Sequence, residues 1–491
     1  MAQGRRRLPA ASAGGDSTGD ATVISNVLSI RDGGPSPSVE RQQGRRAPRI
    51  ERRPPRLWPA LAGLALVCGG GATAQAQHSA LTLESAVHLA LTRNERAGAA
   101  DERAAGAAAR LDKARSFFFP TLAMTGTYTR RAYQTTRKVG DSEVTLQRYN
   151  ALQGTATFGM TLFDARSIPL YRQAARDRDA TFLQSADDKR LLGFEAADAF
   201  LATLSLDQVL AASERRLEFA RKNLEDATGR FEAQLVSSND VTRARLELAT
   251  AERERARAQG GAQTAYLQLG FLLDTEIAGS LAMPDSLLEA ATVTPAEAAT
   301  LVTAARARRL DVAASRRRAA ALHASAQEPL LRYLPNFAVS GQSRLTNEGG
   351  LSGRERDWSL GVNLGWALYD GGVRGADRDE RLALAAVADL DTRARSRKIA
   401  VEIESAIVVL SSAQAAIAQA TVAVDVARQN AAESTELYRQ GLVRALEVAD
   451  AGVRLFEADV ALARERFGLA LAYLDLRAAL GLDPMGKEPA L

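Results

Sequence analysis

The sequence predicts an α+β fold, mostly α, in which a strand–strand–long-helix unit occurs twice. Similar segments recur at a near-constant separation. Gln234-Leu235-Val236 and Gly441-Leu442-Val443 lie 207 residues apart, as do Ala265-Tyr266-Leu267 and Ala472-Tyr473-Leu474. Leu162-Phe163-Asp164 and Leu368-Tyr369-Asp370 are 206 apart, and Phe119-Pro120 and Leu334-Pro335 are 215 apart, the difference being absorbed in a loop. A separation this steady means an internal duplication. Apolar residues also alternate with the period of a strand in four short stretches. Finally, Arg166–Phe231 and Val373–Tyr438, 66 residues each, contain no proline except Pro169 at a helix start. At 1.5 Å per residue each would make a helix of roughly 100 Å.

Composition narrows the class. Of 491 residues 25% are charged and only 5% aromatic, which suits Ala-rich helix packing better than a compact enzyme. Residues 1–76 hold 11 basic and 5 acidic side chains, so the rest of the chain is close to neutral and leaves no nucleic-acid footprint. Cys68 is the only cysteine, which excludes an intrachain disulfide.

In chain order, residues 1–50 are rich in Gly, Ser, Pro and Arg without hydrophobic periodicity, and are expected to be disordered or a mis-started extension. Residues 51–76 complete the order of a signal peptide: a cationic run from Arg45 to Arg56, an apolar run from Leu57 to Cys68, then the small-residue sites Ala72-Thr73-Ala74 and Ala74-Gln75-Ala76. The apolar run is too short to span a bilayer. Leu66-Val67 makes a poor lipid-attachment context for Cys68. The mature chain is expected to start at Gln75 or Gln77, with repeats over 77–280 and 296–483, a linker over 281–295 holding Pro284 and Pro295, and a tail over 484–491.

Thr82 is a fitting N-cap with Glu84 in the first turn, opening a helical pattern that runs to about Arg115. Pro120 stops it, because proline disfavours helix in the residue before it. From Thr121 the period is two: Leu122, Met124 and Tyr128 alternate with Ala123, Thr125, Thr127 and Thr129. A polar stretch over 130–147 follows. Ala156, Phe158, Met160 and Leu162 then alternate with Thr155, Thr157, Gly159 and Thr161. In the second repeat Phe337 and Val339 start a third strand after Pro335. Trp358, Leu360, Val362, Leu364, Trp366 and Leu368 form the apolar side of a fourth, with Ser359, Gly361, Asn363 and Gly365 opposite. Its length fits the ~9–11 residues of a membrane-crossing strand. A hairpin on a soluble core would alternate as well. The export signal, and the lack of a helix read as long and apolar enough to span, favour a membrane barrel. Four strands cannot close a barrel without open edges in lipid, so several subunits must share one.

Return helices are expected over Asn239–Leu273 and Ala445–Leu480, with Leu246, Ala249, Leu267 and Phe271 as an apolar stripe at helical spacing. Between each long helix and its return lies a turn. In the second, Gly441 offers a positive φ to end the helix. Glu447 and Asp450, three residues apart, share one face of the returning helix. They are ordinary surface acids of a coiled-coil turn or, if subunits gather them on an axis, the lining of a constriction.

LTLESAVHLAL over 81–91, FFFPTL over 117–122, LYDGGVRGA over 368–376 and the two turns together resemble the TolC-type outer-membrane efflux proteins, over about Leu81 to Asp483. The resemblance implies a homotrimer with a 12-stranded transmembrane β-barrel in outer-membrane lipid. It also implies a 12-helix coiled-coil tunnel in the periplasm, serving a periplasmic adaptor and an inner-membrane transporter. It assigns Glu447 and Asp450 to the pore constriction. Asp240 and Tyr438, with Gln234, Leu235, Val236, Gly441, Leu442 and Val443, fall in the periplasmic tip and gate. Pro120, Asp164, Pro335, Asp370, Gly371 and Gly372 mark the strand–helix joints. The chain departs from the pattern in three places. Gln234 replaces the first tip glycine, and Val443 stands where an arginine links closed tips. Phe163-Asp164-Ala165-Arg166 lacks the two glycines that Gly371-Gly372 keeps.

His78, His88 and His323 have no metal-ligand spacing, and Gly371-Gly372-Val373-Arg374-Gly375 matches no nucleotide loop. No cofactor, metal or enzyme activity is indicated. The expected function is a passive export duct completing an efflux pump or type I secretion system. The alternative is a periplasmic coiled-coil scaffold whose strands form a soluble cap.

Overall fold

A computed structural model describes residues 80–488, Ala278 excepted. The expected N-terminal extension and signal peptide lie outside the described residues. The elements are α1 (Leu83–Arg93), α2 (Glu95–Arg115), β1 (Thr121–Arg130), β2 (Thr135–Val139), β3 (Ser142–Gln147), β4 (Asn150–Phe163), α3 (Ser167–Glu232) and α4 (Ser238–Leu273). They continue as α5 (Asp285–Ala291), α6 (Ala298–Arg308), α7 (Leu310–Ser325), α8 (Glu328–Leu331), β5 (Asn336–Thr346), β6 (Arg356–Gly365), α9 (Val373–Arg439) and α10 (Ala445–Ala479).

The two halves repeat one plan: two short helices, a strand, a return strand, a 66- or 67-residue helix and a return helix. The expected single helix to Arg115 is broken at Asn94. Its side chain caps α2 by accepting from the Arg96 amide, while its Nδ2 donates to the Leu272 carbonyl at the end of α4. In the second half Arg309 separates α6 from α7 and donates to the Ala479 carbonyl at the end of α10. Asn94 and Arg309 thus close the C-termini of equivalent return helices with different chemistry. Thr82 does cap α1, in a capping box with Ser85.

β1, β4, β5 and β6 form one antiparallel sheet in the order β1-β4-β5-β6. Directly paired residues share a face, so the register can be read across the sheet. Leu122 pairs Phe158, Phe158 pairs Gly341, and Gly341 pairs Leu360; Met160 pairs Val339, which pairs Val362. The apolar rows of all four strands therefore coincide on one side. The other side carries Thr125, Thr155, Gln342, Ser340 and Asn363, the last donating from Nδ2 to the Ser340 hydroxyl at 2.8 Å. The apolar side is bare, with Trp358 76% and Met124 81% exposed. The sheet is open, and its two outer strands leave unpaired edges.

Three expectations need correction here. The fourth strand ends at Gly365, and Trp366 turns its indole N–H to the Tyr333 carbonyl instead of continuing the ladder. The polar stretch before β4 forms the hairpin β2–β3, which pairs outside the main sheet; along β3 Val144 and Leu146 alternate with Glu143, Thr145 and Gln147. And α9 contains a stretch long and apolar enough to cross a membrane by length and composition.

Two buried clusters hold the helices together. Leu83, Val87, Leu192, Phe200, Leu201, Leu204, Leu269 and Phe467 join α1, α3, α4 and α10. Val302, Val312, Ile399, Ile403, Leu410, Leu469 and Leu476 join α6, α7, α9 and α10. Their buried members end at Leu204 on α3 and Leu410 on α9. Beyond them, toward the turns, the remaining cluster is the small one of Leu217, Ala220 and Ala251. The stripe Leu246, Ala249, Leu267 and Phe271 is exposed, Phe271 to 84%. In α4 it is Ala244, Ala251, Ala262, Ala265 and Leu269 that face the neighbouring helices.

Candidate functional site

The two interhelical turns have the same backbone. Each long helix ends with an amide reaching back five residues: Leu235 to the Arg230 carbonyl at 2.8 Å, and Leu442 to the Leu437 carbonyl at 2.9 Å. Such a closure needs a left-handed residue just past the helix. Gly441 supplies it at φ 79°, and Gln234 adopts it at φ 58° despite its side chain. Gln234 therefore fills the glycine position without the freedom of glycine. Leu235 and Leu442 are exposed; Val236 and Val443 are half-buried.

The returning helix α4 opens with a capping box in which the Asp240 carboxylate accepts from the Ser237 amide and hydroxyl at 3.3 and 3.2 Å. Its counterpart α10 has no side-chain cap at Arg444. Glu447 sits in its first turn, where a negative charge suits the helix dipole. Asp450 lies one turn on, paired to Arg454 at 2.9 Å. Both acids are exposed on the single chain, as a surface pair or a lining pair alike would be.

Tyr438, in the last turn of α9, is only 7% exposed, and its hydroxyl has no hydrogen-bond partner among the described residues. Burial pushes its pKa up, with Arg230 opposing and Asp240 and Asp226 reinforcing the shift. Sequence reasoning missed Arg230. Its guanidinium lies 4.7 Å from the Tyr438 ring centre, and it donates to the carbonyls of Tyr438 and Arg439 at 2.7 and 2.6 Å. It missed Arg216 too, which pairs with Glu247 and Glu254 of α4 and lies 5.0 Å from the Phe456 ring of α10. Nearby, Phe219 packs so close to Gly452 that a Cβ there would meet its ring at 2.6 Å. No spacing rule finds these contacts, because each joins helices more than 200 residues apart or uses an ordinary surface-type arginine.

At the strand–helix joints the two halves differ, as the sequence does. After Pro335 and β6, Gly371 and Gly372 take φ of 71° and 88°, and the Asp370 carboxylate accepts from the amides of Gly372 and Arg374 and from the Arg374 side chain. That last bond holds the carboxyl below its usual range. Arg374 is buried, also donates to the carbonyls of Arg332 and Ala367, and lies 4.4 Å from the Tyr333 ring. After Pro120 and β4 there are no glycines; Asp164 instead accepts from the amide and side chain of Arg166, which lowers its pKa. The pairs Glu328–Arg332 and Asp377–Arg381 are spaced by four, a helical signal legible in the sequence; Asp370–Arg374 has the same spacing but spans the left-handed Gly371-Gly372 turn before the helix.

Midway along the helices Asp198 titrates at about 6, raised by burial and then by Asp475 and Glu195. Burial raises Asp475 as well.

The model of a family described as outer membrane efflux protein matches residues 86–275 and 301–482. Among curated proteins, nodulation protein T of Rhizobium leguminosarum bv. trifolii is 26% identical over 161 residues, 32% of this chain; the chain spans 34% of that relative's length. Among solved structures, the CmeC outer membrane channel of Campylobacter jejuni aligns with a TM-score of 0.68 at 15% identity, over 83% of this chain and 87% of that one. The outer membrane protein VceC of Vibrio cholerae gives 0.63 at 20% identity, over 82% and 96%. The MtrE outer membrane channel of Neisseria gonorrhoeae, in its open state, gives 0.66 at 15% identity, over 83% and 91%. With both halves covered by one family model and the fold shared along nearly the whole length of these structures, the chain belongs to the outer membrane efflux protein family.

Proposed function

We propose that this chain is the outer-membrane channel subunit of a tripartite efflux pump or type I secretion system, a passive duct across the periplasm and outer membrane. Three copies would pool their strands into a 12-stranded barrel and their long and return helices into a 12-helix tunnel. A periplasmic adaptor and an inner-membrane transporter would complete the path. The observation that carries this is the sheet: four strands with all apolar rows on one bare face, polar residues on the other, and two unpaired edges. Lipid on one side, water on the other and neighbouring subunits at the edges meet all three needs. The exposed valines of α9, such as Val401, Val408, Val422 and Val426, and the exposed stripe of α4 would then face subunit neighbours. In that assembly the apolar stretch of α9 serves helix packing and not a membrane crossing.

The purified protein is expected to require detergent, to migrate as a trimer unheated and to collapse to the monomer position on boiling. A protein released from envelopes by salt alone, and monomeric, would instead be a periplasmic scaffold.

In the trimer Glu447 and Asp450 would gather as six carboxylates near the axis at the closed end. Such a ring makes conductance cation-selective and open to block by multivalent cations from the periplasmic side. Glu447→Ala with Asp450→Ala should weaken both without harming assembly, as both side chains are exposed on the chain. Planar-bilayer recordings with wild-type selectivity and block in the double variant would remove the acids from the pore.

A further inference from the structure

We infer that Arg230 is the clasp that fixes the spacing of the two tip hairpins within one chain. The inference rests on reading the tip as the constriction, and it assigns the control of that constriction to a residue outside both turns.

Arg230 belongs to both turns at once. Its own carbonyl accepts the Leu235 amide that closes the first turn. Its side chain crosses to the other hairpin and donates to the carbonyls of Tyr438 and Arg439, the last two residues of α9. These carbonyls stand at the negative end of a 67-residue helix, where a cation is stabilised. The Tyr438 carbonyl also takes the Gly441 amide of the second turn at 3.0 Å, so the guanidinium is bonded to the same group that closes that turn. The guanidinium further lies 4.7 Å from the Tyr438 ring centre. A planar fork makes two parallel bonds and a ring contact together; an ammonium cannot.

The clasp has no counterpart at the equivalent position of the other hairpin. The residue 207 positions on from Arg230 is Leu437, which is partly exposed and has no charge to return the bond to the end of α3. Higher up the hairpins Arg215 pairs with Asp459, Arg216 lies on the Phe456 ring and Phe219 packs against Gly452, but at the turns themselves, among the described residues, the side-chain hydrogen bonds from one hairpin to the other come from Arg230 and run in one direction. The Tyr438 hydroxyl contributes nothing to the link, because it has no hydrogen-bond partner among the described residues. Asp240, whose charge acts on the Tyr438 hydroxyl, is engaged with Ser237. The tyrosine acts through its ring and its carbonyl.

The test uses the full-length trimer in detergent, with spin labels at Leu235→Cys and Leu442→Cys, both exposed, diluted with unlabelled chains so that distances within one chain dominate. Arg230→Ala is expected to lengthen the distance by several ångströms and broaden its distribution, and to raise single-channel conductance several-fold. Arg230→Lys should fall between Ala and wild type, which also covers the case in which the alanine variant fails to assemble. Tyr438→Phe should leave distance and conductance as they are. An unchanged distance in Arg230→Ala, or a tip that opens in Tyr438→Phe and not in Arg230→Ala, overturns the clasp. A lengthened distance with unchanged conductance supports the clasp and overturns the tip as constriction.

Discussion

Gln234 and Gly441 occupy one conformation with different side chains, and this gives a direct measure of what the duplication costs at one residue. Holding a non-glycine residue in the left-handed region costs on the order of 1 kcal/mol. Gln234→Gly should therefore stabilise the chain by about 0.5–1 kcal/mol, part of the gain being lost to the freer unfolded chain. Gly441→Ala should destabilise by about 1 kcal/mol from backbone strain alone, since a Cβ at Gly441 would meet no atom within 4 Å. Thermal unfolding compares the two; a Gln234→Gly variant no more stable than wild type, or a Gly441→Ala variant no less stable, would show that left-handed strain does not set the cost of the turn. The position of this turn was legible because glycine and the repeated Leu-Val dipeptide mark it. Arg230 was not, because an arginine at the end of an exposed helix carries no pattern and its partners come from the other half of the chain.

At the scale of the element, the strands and the long helices were legible because each has a period, two or 3.6, sustained over many residues. The β2–β3 hairpin was not, since β2 reads Thr-Thr-Arg-Lys-Val with no apolar alternation and the short β3 carries only Val144 and Leu146 on its apolar side. The break at Asn94 could have been read from its N-cap character before Glu95; the matching break at Arg309 could not, as arginine is a good helix former. The sheet register sharpens the prediction for β6. Val362 pairs with Val339 on the apolar face, and its neighbour Asn363 bonds Ser340 on the polar one. Val362→Arg should cost about 2–4 kcal/mol if that face meets lipid, and Asn363→Arg much less. Trimer yield after detergent extraction checks this; equal yields would mean that the apolar face does not meet lipid.

Across the whole chain, neither the places where helices meet nor the buried charges they share could be read from local patterns, since these are contacts between distant segments. The Asp198 site shows the consequence for stability. Folding raises this carboxyl from 3.8 to about 6, so between those values the folded chain holds more protons than the unfolded one. Stability must then fall as pH rises through that window and level off above it. After screening by water on its open side the effect should be about 1 kcal/mol. Asp198→Asn should flatten the slope and raise the melting temperature at neutral pH; an unchanged slope in calorimetry from pH 4 to 7 would place the titration elsewhere. The buried clusters that brace the helices end at Leu204 and Leu410, about 40 Å of helix short of the turns. Below them the packing is thinner, with the small Leu217, Ala220 and Ala251 cluster and the contacts of Arg215, Arg216 and Phe219 with α10, so each hairpin would act as a lever arm with the clusters as its bearing. A swing of only about 5° at the bearing carries the turn through about 3 Å, as far as a hydrogen bond is long. If the Arg230 link is what holds the turns together, a duct built this way would change its bore without refolding, by releasing the contacts of one side chain at the far end of the lever.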